Sequence, residues 1–373
     1  MSATVVIVGG GYGGIAAVRA LDEVADVILV EPRDAFVHNV AALRALAEPG
    51  WAGRIFLPYD RLLRRGQVVH DRAARVDIGS VTLGSGETIA ADFIVLASGS
   101  AYPFPAKTGT DDSAGAQARI RQAHSQIVKA NRVLLLGAGP VGLELAGEIT
   151  AAWPDKSVTI IDPASDILSG GYSADGYNPG FRAELRRQLS ERGVRLLLAT
   201  ALPGLPPAEP GRAGRFTITT ADGRQIGADI WFRCFGVTPR SGYLGDALAP
   251  ARQPNGHLAV TPELRLPGQD RVFAIGDLTA TPEPKTAKAA GLHAEVAAAN
   301  IRALIHGSTS LRSYQPAPPG IVIPLGPHGG ASYTAERGVL DAQATSQIKG
   351  AHLMVDRFAQ LLGLDPAQDP AVA

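Results

Sequence analysis

VVIVGGGYGG, from Val5 to Gly14, and VLLLGAGPVG, from Val133 to Gly142, are two copies of one pattern whose first glycines lie 128 positions apart. Each opens as a run of β-branched or leucine residues, the composition of a strand buried on both faces. Each then breaks at glycines and continues into an alanine-rich helical stretch. A second apolar run follows each and ends in an acid: DVILVE at Glu31 and SVTIID at Asp162, 22 and 25 positions past Gly9 and Gly137. Strand, glycine turn, helix, strand and acid, in that order, predict two dinucleotide-binding βαβ units and an α/β fold.

The glycines have separate physical tasks. A dinucleotide presents a doubly charged pyrophosphate, which the N–H groups and dipole of a helix N-terminus can hold if no side chain intervenes. Gly9 and Gly137 would permit the tight turn, Gly11 and Gly139 the approach of backbone to phosphate, and Gly14 and Gly142 the packing of helix on strand. Glu31 and Asp162 would then hydrogen-bond ribose hydroxyls. Two dinucleotides in one chain suit hydride transfer from a nicotinamide to a flavin, which makes FAD the expected partner of a nicotinamide cofactor. PASDIL follows the strand at Asp162 with no Arg or Lys to meet a 2′-phosphate, so NADH is expected rather than NADPH.

Composition sets the outer limits. The 373 residues are 46% hydrophobic and 19% charged, an ordinary globular balance with room for two or three domains. Thirty-five basic residues match thirty-five acidic ones, so no global field directs the chain to nucleic acid. No stretch approaches the roughly 18 to 20 apolar residues of a membrane span, and the start has neither a basic n-region nor, with Ser2, a myristoylation glycine. Cytoplasmic residence is expected, with no lipid anchor; peripheral membrane contact and oligomeric state are left open. Cys234 stands alone, excluding an internal disulfide, and is read as a buried small hydrophobe. The histidines show no metal-ligand spacing and GYSADG is no nucleophile elbow, so neither a metal nor a hydrolase site is expected.

Further elements read clearly. Phe93 to Leu96, Ile230 to Phe232 and the run RVFAIGD predict strands leading to glycines. Phe181, Leu185 and Leu189 define one face of a helix stopped by Gly193, and a long helix is expected from about Pro284 to Ile305. The Pro-rich YQPAPPG introduces a final segment, and a loose tail is expected from Asp365.

With RVFAIGD, PKTAKAAGLHAEVAAANI and HNVAALRAL in view, the chain resembles the FAD-dependent pyridine-nucleotide oxidoreductases, in particular the ferroptosis suppressor or apoptosis-inducing-factor-like NAD(P)H:quinone reductases. The resemblance implies two Rossmann-like FAD/NAD(P)-binding domains in a glutathione-reductase-like architecture, plus a small α+β C-terminal domain. It places a split FAD domain at 1–105 and 238–306, an NADH domain at 106–237 and the C-terminal domain at 307–373. It further implies that Gly9, Gly10, Gly11, Tyr12, Gly13 and Gly14 bind the FAD pyrophosphate, Glu31 the adenosine ribose, and Asp277 the ribityl chain or a phosphate. Arg44 matches a FAD contact, and the backbone of Ala73 matches the amide that meets the adenine. Glu144 would face nicotinamide and flavin, Lys349 would stand near the flavin, and His38 precedes the helix pointing at it; these three are the candidate catalytic residues.

In disulfide reductases of this superfamily a cysteine pair lies where this chain reads FVHNVAALRALAEPG, without cysteine. Electrons would therefore pass from reduced flavin to an external small molecule, a quinone-like acceptor. Two other outputs use the same nucleotides: reduction of a ferredoxin- or rubredoxin-type carrier, and slow NADH sensing in which a change of shape is the product.

Overall fold

The computed structural model describes residues 2–170 and 177–366; GYSADG and the end of the tail lie outside them. Its first sheet has five parallel strands in the spatial order Gln67–Val69, Asp26–Val30, Thr4–Val8, Phe93–Leu96 and Val272–Ala274. Numbered along the chain this is 3-2-1-4-5, so the strand contributed near residue 272 closes one edge of a sheet otherwise built from the first hundred residues. Val5, Val6 and Ile7 have no exposed surface, as their β-branched run requires of a strand covered on both faces. One cover consists of the helices Tyr12–Leu21 and Ala287–Ile305. The other is a three-stranded antiparallel sheet, Ala73–Asp77, Ser80–Leu83 and Thr88–Ala90, whose Val76, Val81 and Leu83 pack on Val6, Val8 and Ile94.

The second sheet repeats the arrangement with four parallel strands in the order Arg195–Leu197, Ser157–Ile161, Arg132–Leu136 and Ile230–Arg233, or 3-2-1-4. The helices Ser113–Lys129, Pro140–Ala152 and Pro179–Glu191 lie over one face, and the hairpin Phe216–Thr219 with Gln225–Ala228 over the other. A third, antiparallel sheet of Gly320–Pro324, Gly330–Thr334 and Gly338–Leu340 leads to the helix Ala342–Thr345, a π-helical turn Ser346–Gly350 and the helix Val355–Leu361.

In both parallel sheets the order reverses between strands 1 and 4, and ligands of open α/β sheets bind at that point outside the carboxyl ends. Gly9 and Ala97 meet there in one sheet and Gly137 and Cys234 in the other, so both glycine turns stand at the switch points.

The helix of Phe181, Leu185 and Leu189 forms as read, with all three fully buried, Asn178 as its cap and Gly193 beyond its end at φ +72°. The helix expected from about Pro284 begins instead at Ala287. The Thr286 side chain accepts from the Ala289 N–H and takes the N-cap, while the Lys285 ammonium turns back to the Thr281 carbonyl at 2.8 Å. Cys234 is buried, and burial pushes its thiol up to about 12.

Candidate active site

The two loops have matching local geometry. Gly9 and Gly137 adopt φ +107° and +112°, a region that L-residues with side chains avoid. A Cβ on Gly14 would stand 1.9 Å from the Gly9 carbonyl oxygen, and one on Gly142 would stand 1.9 Å from that of Gly137. The first and third glycines thus serve the fold. Gly11 and Gly139 differ: a Cβ on either would meet nothing within 4 Å. Glycine at these two positions keeps open the space in front of a helix. Among the described helices of ten residues or more, Asp112, Asn178 and Thr286 cap the three outside the loops. The two that begin at Gly11 and Gly139 have no side-chain cap. Their terminal N–H groups are left for an anion, so both loops fit a pyrophosphate.

The first loop is held rigid by groups around it. Gly10 N–H donates to Glu31 at 2.6 Å, and the Tyr59 hydroxyl donates to the Gly10 carbonyl at 2.8 Å. Tyr59 carried no sequence signal, because its role depends on a tertiary contact 49 residues from Gly10. Glu31 also accepts from the Arg33 guanidinium at 2.8 and 2.9 Å. Burial alone would raise the Glu31 carboxyl, but the Arg33 and Gly10 donors outweigh it and hold it below the usual carboxylate value. Asp162 braces the second loop by accepting from Ala138 N–H at 2.7 Å and Ala164 N–H at 2.8 Å.

Asp277 lies on the turn after strand Val272–Ala274, partly exposed, and accepts from the Ser100 hydroxyl at 2.7 Å. The Lys107 ammonium is 3.8 Å from it and donates to Ser100. Burial lowers the Lys107 pKa, with the nearby charges of Arg33 and Arg240 acting the same way and Asp277 opposing them. Arg72 pairs with Asp111 and also lies near Arg240. Four cations therefore gather between Glu31 and Asp277, a concentration invisible in the neutral overall balance and suited to a pyrophosphate. Ala73 follows directly, at the first residue of its strand; the strand just before, Gln67–Val69, accepts the Glu31 N–H at Val69.

The three candidate catalytic residues come from three distant segments and converge. The Lys349 ammonium donates to Glu144 at 2.8 Å, across 205 positions of sequence, with side chains 15% and 13% exposed. Burial raises the Glu144 carboxyl, and Lys349 opposes the rise. Lys349 sits on the π-helical turn, and the chain then passes through two left-handed residues, Leu353 at φ +49° and Met354 at φ +63°. Such conformations cost of order 1 kcal/mol or more each and persist only where the surroundings enforce them. His38 is part of that enforcement. Its Nε2–H donates to the Leu353 carbonyl at 2.7 Å, and its Nδ1 faces the Tyr12 hydroxyl at 3.2 Å.

This alters the expectation for His38. It has no exposed surface, and burial lowers its pKa to about 4, with the Lys349 charge adding to the fall. The structure makes it a neutral, internal tie that anchors the Lys349 segment rather than a group open to a ligand. Tyr12 is the first residue of the helix after the first loop, and its ring packs edge-on against Phe36 and Phe358.

Arg44 also departs from the expectation of an open cofactor contact. It is among the largest fully buried side chains, because its guanidinium is engaged twice by Glu148 of the helix Pro140–Ala152 and once, at 2.9 Å, by the Gly350 carbonyl. It joins the first sheet's domain, the second sheet's domain and the Lys349 turn at one point. Arg44→Met would leave Glu148 buried without its partner, so a loss of about 3–5 kcal/mol of stability is expected in urea unfolding. The double variant Arg44→Met with Glu148→Met is expected to recover most of it.

Two doubly wound dinucleotide folds facing a shared cluster of buried charge define a pyridine-nucleotide flavin oxidoreductase. The pyridine nucleotide-disulphide oxidoreductase pattern matches residues 3–294. The chain is 34% identical to ferroptosis suppressor protein 1 of Xenopus laevis over 337 residues, 88% of each protein. It is 29% identical to apoptosis-inducing factor homolog B of Dictyostelium discoideum over 96% of each. Among solved structures, the sulfide:quinone oxidoreductase of Aquifex aeolicus shares the fold with a TM-score of 0.75 at 18% identity, covering 98% of this chain and 93% of that one. NDH2 of Plasmodium falciparum in complex with NADH does so with a TM-score of 0.72 at 14% identity, over 93% of each.

The chain belongs to the pyridine nucleotide-disulphide oxidoreductase family, in its ferroptosis suppressor and apoptosis-inducing-factor homologue branch. It is an FAD-dependent enzyme that draws on NAD(P)H. The family name refers to a disulfide, yet this chain has the single buried Cys234. Among the described residues no helix is long and apolar enough to cross a membrane.

Proposed function

We propose that this protein is a NADH-preferring quinone reductase that delivers electrons directly to a small external acceptor, with Glu144 and Lys349 as its catalytic pair. The observation that carries the proposal is the 2.8 Å ion pair between them, just past the second glycine loop. When bound, FAD supplies the hydride acceptor and the electron outlet. The Gly11 helix start, Glu31 and Asp277 would hold it, within the split domain 1–105 and 238–306. The Gly139 helix start and Asp162 would hold NADH, within 106–237. The segment 307–373 contributes Lys349.

Glu144, one turn inside the helix that starts at Pro140, would accept a hydrogen bond from the nicotinamide carboxamide. Lys349 favours the ionised form of that carboxyl against the opposing effect of burial, and would bring a positive charge to where an acceptor oxygen gains negative charge. Preference for NADH is supported by the Asp162 carboxylate, which would repel a 2′-phosphate, and by Arg182 and Arg186 both being committed to Asp166. A reducing, cytoplasmic setting is in keeping with one buried thiol. The FAD-loaded protein mixed with NADH and menadione, or a ubiquinone analogue, is expected to turn over many times per second, within the usual range of about 1–10³ s⁻¹. A single stoichiometric bleaching of the flavin would instead make it a sensor.

A further inference from the structure

The helix Ala287–Ile305 carries His293, which is almost fully buried and lies behind the turn that presents Asp277. The Gly276 backbone N–H donates to His293 Nδ1 at 3.0 Å. Because a backbone N–H can only donate, Nδ1 must be unprotonated, which puts the imidazole proton on Nε2. That nitrogen meets Glu283 at 2.7 Å, and the other Glu283 oxygen accepts from the Tyr314 hydroxyl at 2.6 Å. The Tyr314 ring stands edge-on to the imidazole, with centroids 4.3 Å apart.

The other side of Gly276, the carbonyl of its peptide with Asp277, is held as well. The Thr279 hydroxyl donates to the Gly276 carbonyl at 3.0 Å, Thr281 contacts Thr279 at 2.8 Å, and the Lys285 ammonium donates to Thr281. Gly276 itself adopts φ +69°, a left-handed turn that aims the next residue, Asp277, toward Ser100.

We propose that His293, fixed in one tautomer by Glu283 and Tyr314, is the positioning residue of the Gly276–Asp277 turn, and that this buried relay sets how tightly FAD is held. The proposal rests on Asp277 being a FAD ligand. His293 touches no open space and acts only through the peptide it orients. The titratable and charged groups around it are Glu283, Tyr314, Lys285 and Asp277. Burial lowers its pKa and Glu283 opposes the shift. The linkage sign follows: the bond to Gly276 is fully present above the ordinary imidazole value and is lost as pH falls through the lower, folded value, when Nδ1 becomes a donor facing a donor.

The test is the FAD dissociation constant of apoprotein, followed by flavin fluorescence between pH 5 and 8, for the wild type, His293→Leu, His293→Gln and Asp277→Ala. His293→Leu is expected to weaken FAD about tenfold at pH 7, the scale of one lost buried hydrogen bond. A glutamine carbonyl can accept from Gly276 and its amide can donate to Glu283. His293→Gln is therefore expected to keep most of the affinity while abolishing the weakening toward acid expected of the wild type. Equal affinities for the Leu and Gln variants, or the same acid limb with glutamine as with histidine, would overturn the proposal, and the second comparison holds even if the Leu variant fails to fold. Asp277→Ala separates the two layers. If it loses FAD while both His293 variants bind like the wild type, only the relay is wrong; if it keeps FAD, the assignment of Asp277 fails and the relay with it.

Discussion

Gly11→Ala is expected to purify as a folded, colourless protein, whereas Gly14→Ala, the same single methyl three residues later, is expected to damage the fold itself. A Cβ at Gly11 meets nothing within 4 Å, and its φ of −79° suits any residue, so unfolding of the apoprotein should move by no more than about 0.5 kcal/mol. The methyl instead fills the space in front of an uncapped helix. Two or more charge-assisted hydrogen bonds to a pyrophosphate would be lost, at about 1.5–3 kcal/mol each, which weakens FAD on the order of a hundredfold to ten-thousandfold. At Gly14 the added carbon stands 1.9 Å from the Gly9 carbonyl oxygen. Overpacking of that kind costs about 1–3 kcal/mol or more, and urea unfolding of the apoprotein measures it. A yellow Gly11→Ala protein with normal flavin content would show that the loop does not cradle the cofactor.

Lys349→Met is expected to keep FAD and lose turnover with NADH and menadione by about 10²- to 10³-fold, the scale of removing one preorganised charge from a site that stabilises developing negative charge. Stopped-flow measurement of flavin bleaching by NADH, beside steady-state turnover, locates the loss in hydride transfer or in acceptor reduction. The same variant strands Glu144 in a buried site without its cation. Burial already raises that carboxyl, so the unpaired group would rise further and bind its proton more tightly in the folded state. Stability from a raised carboxyl is present below the unfolded value and is lost as pH rises through the folded one. The gap in melting temperature between Lys349→Met and the wild type should therefore widen as pH climbs above the ordinary carboxylate value of 4.5. Full activity in Lys349→Met would remove the lysine from the mechanism.

Arg44 and His38 show where the family pattern and the physical role part. Both belong to the motif HNVAALRA, and both are interior in the folded molecule: Arg44 on Glu148 and Gly350, His38 on Leu353 and Tyr12. Sequence position identified them as important, but whether a polar side chain faces a ligand or ties segments together depends on what else is folded over it. Here the covering element is the C-terminal turn Ser346–Gly350 and the strained pair after it, roughly 300 residues downstream. The gathering of Arg33, Lys107, Arg72 and Arg240 was hidden for a related reason. A neutral sum over the chain carries no information about which charges share a cleft.

The sequence by itself determined the two dinucleotide folds, the turn and packing tasks of the first and third glycine of each loop, and the absence of a cysteine pair. These rest on interactions within about thirty residues: a left-handed φ, a methyl that cannot fit, a β-branched run that must be covered, a count of sulfur atoms. Only the tertiary structure decided that Glu144 and Lys349 form one pair, that Arg44 and His38 are ties, and that Glu283, His293 and Tyr314 stand behind Asp277. The physical reason is that an ion pair or a histidine tautomer takes its character from burial and from partners brought together by long-range packing. Neither the depth of a side chain nor its distant neighbour is written in the residues beside it.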